Sequence, residues 1–144
     1  MDTIKQISIF VENQPGKLAE LTRLLADANI DLRTLSLADT RDFGILRVIV
    51  NKPEETEKLL KDNDWTYKTA DVIGVKLPDR PGGVAEVLEA ITAAEVNVEY
   101  MYAFVNRIPG RAETVFRVDD IETTLKALRN SGIEILTPEE AYNG

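Results

Sequence analysis

The chain contains no cysteine and no histidine. Without cysteine there is no disulfide framework, thiol nucleophile or cysteine-bound metal cluster. Without histidine the chain lacks the commonest general base near neutral pH and the commonest transition-metal ligand. Carboxylates, lysines and tyrosines remain, but the usual catalytic triads cannot be built from them. Positive charge is also scarce, with 17 Lys and Arg against 25 Asp and Glu and a formal net charge of −8. That balance opposes phosphate backbones and anionic lipid, so neither nucleic acid nor a membrane surface is an expected partner. No apolar run reaches the roughly 18 residues of a membrane span. The opening MDTIKQ lacks a charged leader followed by an apolar core, so the expected location is the cytoplasm. The reading is a non-enzyme that needs no cofactor or metal.

What is present is a folded-protein composition: 144 residues, 44% hydrophobic and 29% charged. The length suits one ordinary domain or two small ones. Two six-residue stretches organise it, Asn13-Gln14-Pro15-Gly16-Lys17-Leu18 and Asp79-Arg80-Pro81-Gly82-Gly83-Val84. Each follows a run of alternating apolar residues (Ile7, Ile9, Val11; Ile73, Val75, Leu77) that reads as a strand with one buried face. Each also opens a helical pattern, Leu18, Leu21, Leu24, Leu25 and Ala28 in the first copy. Pro15 and Pro81 are 66 residues apart, and so are Ile7/Ile73, Gly16/Gly82, Ala19/Ala85, Glu20/Glu86 and Ala28/Ala94.

The rest of each half follows the same order. In the first, Ile30 to Ala38 carries a second strand pattern, Thr40 to Gly44 supplies a turn, and Ile45 to Val50 is a third strand. A helix then begins at Pro53, with Glu54, Glu55 and Glu57 early and Lys58 and Lys61 late, which suits the helix dipole. Trp65 and Tyr67 begin a fourth strand. Beyond the second hairpin the offset becomes 68, as Glu54/Glu122, Thr56/Thr124, Lys58/Lys126 and Leu60/Leu128 show. The hairpin Asn106 to Arg111 therefore carries two extra residues, 68 − 66. Gly132 reads as a helix stop, Ile133 to Leu136 as the last strand, and the polar tail from Thr137 as loosely ordered. The expected fold class is α+β: two ferredoxin-like βαββαβ units, each an antiparallel sheet with both helices on one face. The units span residues 1–69 and 70–144, joined by a short connection near Lys68 to Asp71.

In each loop, glycine after proline allows a sharp turn and close approach of a ligand. The loop enters a helix N-terminus, whose first amides lack intrahelical partners and whose dipole is positive, so a carboxylate is the natural guest. Asn13 and Asp79, just before the turn, could receive an ammonium group; as plain structure they would serve as helix or turn caps. An α-amino acid presents both groups.

A duplicated Asp/Asn-x-Pro-Gly-x-Leu-type loop inside a duplicated βαββαβ order resembles a tandem pair of ACT domains over nearly the whole chain. Val96-Asn97-Val98 matches the pattern that follows the first helix in that family, while Ile30-Asp31-Leu32 places Asp31 where the family usually has Asn. The resemblance implies an allosteric module in amino acid metabolism that binds a small amino acid between two ACT units. Its ligand-binding residues would be Asn13, Gln14, Pro15, Gly16, Lys17 and Leu18 with Asp79, Arg80, Pro81, Gly82, Gly83 and Val84, and Asp31 and Asn97 would face them. The output of such a regulator comes from assembly as a homodimer or from a partner metabolic enzyme or regulator. The alternative is a protein-interaction module that has kept the fold and lost the ligand, a reading that an acidic Asp31 favours.

Tyr100, Tyr102 and Phe104 alternate with Met101, Ala103 and Val105, so this strand reads as apolar on both faces. It would be buried between the units or form a dimer contact. Interleaved aromatics also evoke the RNA-recognition fold, but the acidic charge and the missing basic-aromatic signature oppose it. An acylphosphatase-like enzyme would need an arginine phosphate loop; Asn13 to Gly16 supplies none, although Arg80 in the second copy keeps that reading from outright dismissal. Arg107, Arg111 and the carboxylates Glu139 and Glu140 read as solvated.

Overall fold

The computed structural model describes residues 2–39, 42–105, 109 and 111–144. The elements run β1 (Ile4–Glu12), α1 (Lys17–Asp27), β2 (Ser36–Asp39), β3 (Phe43–Val48), α2 (Pro53–Asp62), β4 (Tyr67–Pro78), α3 (Gly83–Ala93), β5 (Val98–Ala103), β6 (Arg111–Val118), α4 (Ile121–Asn130), β7 (Glu134–Ile135) and α5 (Pro138–Asn143). This is the doubled βαββαβ order with one added helix. The strands are antiparallel in the order β2-β3-β1-β4-β6-β5, with β7 also on β4.

One strand serves both units. Residues 67–72 of β4 pair with β1 in the register Ile4↔Val72 to Ile9↔Tyr67, and residues 73–78 pair with β6 in the register Ile73↔Phe116 to Pro78↔Arg111. The expected connection at Lys68 to Asp71 is therefore strand, and the 69/70 division falls inside β4. The polar residues there obscured it: Lys68, Thr69 and Asp71 are exposed, yet their backbone is paired. The second strand of the first unit is shorter than its pattern. Leu32 and Thr34 make only isolated bridges, to Val50 and Phe104, before β2 begins at Ser36.

Period-two alternation sorts the strand residues between two faces. Ile7, Ile9, Val11, Leu46 and Val48 meet Leu21, Leu25 and Leu60 of α1 and α2 in one core. Ile73, Val75, Leu77, Phe116 and Val118 meet Val87, Ile91, Leu125 and Leu128 of α3 and α4 in a second. Odd-numbered β4 residues enter both cores, so the four long helices share one face of the sheet. The other face curls on itself. Gln6 of β1, fully buried, donates to the Tyr100 hydroxyl at 2.6 Å and accepts from the Tyr102 hydroxyl, although β5 lies three places away in the strand order. The Arg47 guanidinium lies 3.9 Å from the Tyr100 ring centre, and Tyr100 stacks on Tyr102 at 6.4 Å. Burial pushes the Tyr102 hydroxyl pKa well up. Beside this polar layer Ile4, Ile49, Val72, Phe104, Val115, Leu136 and Ala141 form a third core between the units.

β5 is thus apolar on both faces but buried on one. Tyr100, Tyr102 and Phe104 point inward, while Met101, Ala103 and Val105 are exposed. The tail is ordered, contrary to expectation. Thr137 and Glu140 form a reciprocal capping box at the start of α5. Ala141 is fully buried, and the Tyr142 hydroxyl accepts from the Lys5 amide at 2.8 Å. Glu140 also pairs with Lys76, which holds its carboxyl below the usual carboxylate range, so it is no solvated charge. Arg111 is likewise half-buried and paired with Glu113 at 3.3 Å. Asn106, Arg107, Ile108 and Gly110 of the longer hairpin, with Met1, Thr40 and Arg41, lie outside the described residues.

Candidate functional site

The two loops fold alike. In the first, the Gln14 amide donates to Glu12 O, Lys17 to Gln14 O and Glu20 to Gly16 O; in the second, Arg80 donates to Pro78 O, Gly83 to Arg80 O and Glu86 to Gly82 O. Every bond reappears 66 residues later, 78 − 12 and 86 − 20 alike. Gly16 and Gly82 stand at the helix N-cap with φ of 87° and 91°, a left-handed backbone that favours glycine. Among the described residues no side chain caps α1 or α3. Asn13 and Asp79 therefore do not spend their oxygens on the helix. Among the described residues the amides of Leu18 and Ala19, and of Val84 and Ala85, have no hydrogen-bond partner.

The loop residues are exposed, apart from half-buried Lys17 and buried Gly83. Lys17 pairs with Glu20 at 3.7 Å and Arg80 with Glu86 at 3.1 Å. Asn13, Gln14 and Leu18 border a pocket of about 130 Å³ whose opposite wall is Leu37, Asp39 and Gly44 of the β2–β3 hairpin. The sequence reading missed that wall. Strand pairing, which sets Val11 against Gly44, is what brings it to the loop. The equivalent positions in the second unit are Ala103, Val105 and Ala112, which carry no carboxylate.

Asp31 and Asn97 sit past the far ends of α1 and α3. Each belongs to a two-way clasp: Asp31 N donates to Asn51 Oδ1 and Asn51 N to Asp31 O, while Asn97 N donates to Asp119 Oδ1 and Asp119 N to Asn97 O. The side chain that closes the clasp is Asn51 in one unit and Asp119 in the other, so the acid and amide have exchanged places. Asp31 also pairs with Arg33 at 3.6 Å. Among the described residues no hydrogen bond or ion pair joins either loop to Asp31 or Asn97. No group of three or more carboxylates among them gathers to hold a metal, and no described helix is long and apolar enough to cross a membrane.

A family model described as an ACT domain pair matches residues 2–141. The chain belongs to the ACT domain pair family. Aspartokinases of Corynebacterium efficiens and Corynebacterium glutamicum are 29% and 27% identical to it over 135 residues, covering 82% of this ACT pair and 31% of each enzyme. The chain thus spans about a third of the length of those relatives. Protein BT0572 from Bacteroides thetaiotaomicron has a solved structure with a TM-score of 0.93 at 38% identity, covering 99% of this chain and 98% of that one. The ligand-free regulatory subunit of aspartate kinase from Thermus thermophilus shares the fold, with a TM-score of 0.64 at 17% identity over 91% and 93% of the two chains.

Proposed function

We propose that this ACT pair is a regulatory protein of amino acid metabolism that binds a small amino acid at its loop–helix junctions. The carrying observation is the uncapped start of α1 and α3 behind a left-handed glycine, twice over. The amides of Leu18 and Ala19, or Val84 and Ala85, receive the ligand carboxylate. The ammonium goes to a carboxylate that each unit supplies differently, Asp39 opposite Asn13 in the first and Asp79 within the loop in the second. The pocket of about 130 Å³ is small beside the roughly 300–1,000 Å³ of typical ligand sites, so a second copy of the chain completes it. Asp31 or Asn97 of that copy then faces the loop, and the repeats 1–69 and 70–144 act as one sensor. The working form is a cytoplasmic, non-catalytic homodimer whose binding state is read by a metabolic enzyme or regulator.

A thermal-shift screen against the twenty amino acids tests this, repeated with Asn13→Ala and Asp79→Ala. At a hundred times its dissociation constant a ligand adds about 2.7 kcal/mol. The expected result is a raised midpoint with one amino acid or a small group, lost in one of the two variants. No shift at millimolar concentration would favour the interaction-module reading. That second reading draws on the apolar residues left open on and next to the edge strands, Leu35 (50% exposed), Leu37 (55%), Met101 (37%) and Val105 (60%).

A further inference from the structure

The larger concavity of the first unit lies on the other side of its loop. Phe10 of β1 meets Phe43 of β3 edge-to-face at 5.6 Å. The Phe10 amide donates to Thr66 O at 2.9 Å, which brings the turn that carries half-buried Trp65 alongside. With the first turn of α1 these residues enclose about 580 Å³, within the size range of small-molecule sites. Phe10 and Phe43 share one face of the sheet, Trp65 packs beside them toward the helix-side core, and the rim carries both signs of charge. Lys68 stands 5.8 Å from the Phe10 ring centre and Lys17 lies on the α1 side, while Glu12 and Asp64 supply carboxylates. Asp64 is held in a left-handed backbone, φ 61°, at the turn.

The second unit does not repeat the residues that line this hollow. Phe10, Trp65 and Lys68 correspond to Lys76, Ile133 and Leu136, since Ile9↔Tyr67 in one unit matches Val75↔Ile135 in the other. Lys76 is engaged by Glu134 at 3.9 Å and by Glu140, and Leu136 is fully buried. The aromatic hollow is therefore a property of the first unit and not of the repeat.

We propose that this hollow is a second binding site, separate from the loop junctions, for a zwitterion with a flat apolar body. A large aromatic or apolar amino acid fits that chemistry. Its body lies against Phe10 and Phe43 with Trp65 at the edge, Lys68 and Lys17 take its carboxylate, and Glu12 and Asp64 take its ammonium. A phosphate dianion suits the site less well, because the rim carboxylates repel it.

Trp65 is the chain's single tryptophan, so its emission reports on this site. Titration of the full chain with L-phenylalanine, exciting only tryptophan, is expected to give a saturable change at millimolar concentration, and glycine none. Lys68→Ala and Phe43→Ala each weaken binding by about tenfold, the scale of one lost charged contact or one lost apolar contact respectively. Both side chains lie at the surface, so the variants keep the core. Phenylacetate and phenethylamine, each lacking one charge, bind more weakly than phenylalanine by a similar factor. Three results would overturn the proposal: no change with phenylalanine, an equal change with glycine, or a change that both variants retain. A signal lost in Asn13→Ala but kept in Lys68→Ala would overturn it too, and would return the ligand to the loop junction.

Discussion

The two units share a loop, a helix start and a clasp, yet they close their inner faces differently. In the second unit Tyr100 and Tyr102 reach across to Gln6 of the first. Their counterparts in the first unit, 66 residues earlier, are Thr34 and Ser36, too short to cover Val72, the counterpart of Gln6. The space is filled instead by Leu136 and by Ala141 of α5, both fully buried. Gly74 makes room for that filling, since a Cβ there would lie 2.9 Å from Leu136 Cβ and from Ile4 Cδ1. An unequal pair of edge strands is thus made level by an extra helix. The difference teaches that a duplicated fold stays duplicated where backbone geometry is at stake and diverges where only volume must be filled.

Paired substitutions at equivalent positions break or sharpen that comparison. The largest effect is expected in the helix-side cores, where Phe116 and Val48 occupy matching places opposite Ile73 and Ile7. Phe116→Ala should cost about 3–5 kcal/mol. Val48→Ala should cost less, and denaturant midpoints compare the two. Gly74→Ala should cost about 1–3 kcal/mol by overpacking against Leu136. At the matching position of the first unit Ser8→Ala should change stability by about 0.5 kcal/mol or less; equal losses would show that α5 and Leu136 do not press on Gly74. Thr137→Ala removes the capping box and should cost about 1 kcal/mol, with faster hydrogen exchange confined to α5. A loss of exchange protection at Gln6 as well would show that the helix and the tyrosines act as one device.

A smaller gain is expected at the helix ends. Glu95 and Asn29 hold the same left-handed backbone, φ 58° in each, and asparagine tolerates it better than glutamate. Glu95→Asn should therefore stabilise by up to about 1 kcal/mol, while Asn29→Glu should do the reverse. The smallest effect concerns pH. The bond with Lys76 lowers the folded-state pKa of Glu140, so its contribution is present above the ordinary glutamate pKa of 4.5 and is lost as pH falls through the folded value. Proton titration of Glu140 by NMR checks this, and in Lys76→Met the depression should largely vanish.

Most of the fold could be read from the chain because the Pro-Gly loops repeat in register with the apolar pattern around them. The continuity of β4 could not, because Lys68, Thr69 and Asp71 look like linker residues when their paired backbone is out of sight. α5 was missed for another reason. Six mostly polar residues make a weak helix signal, although Thr137 followed by Glu140 spells a capping box. The loop residues of the candidate site were legible one by one. Asp39, Leu37 and Gly44 were not, since only strand pairing brings them to the loop. The aromatic hollow was beyond reach for the same reason, because Phe10, Phe43 and Trp65 are scattered along the first unit and carry no local pattern.

β4 belongs to both units without a break, and this bears on how the protein comes apart. Removing either partner sheet would leave half of that strand with unpaired amides, an edge prone to join another chain. Neither unit can melt without stripping the other, so unfolding should be a single transition in which calorimetric and van't Hoff enthalpies agree. A shift of register in one half would turn the side chains of the other half to the wrong face. What looks like two units in series is, mechanically, one beam with a load at each end.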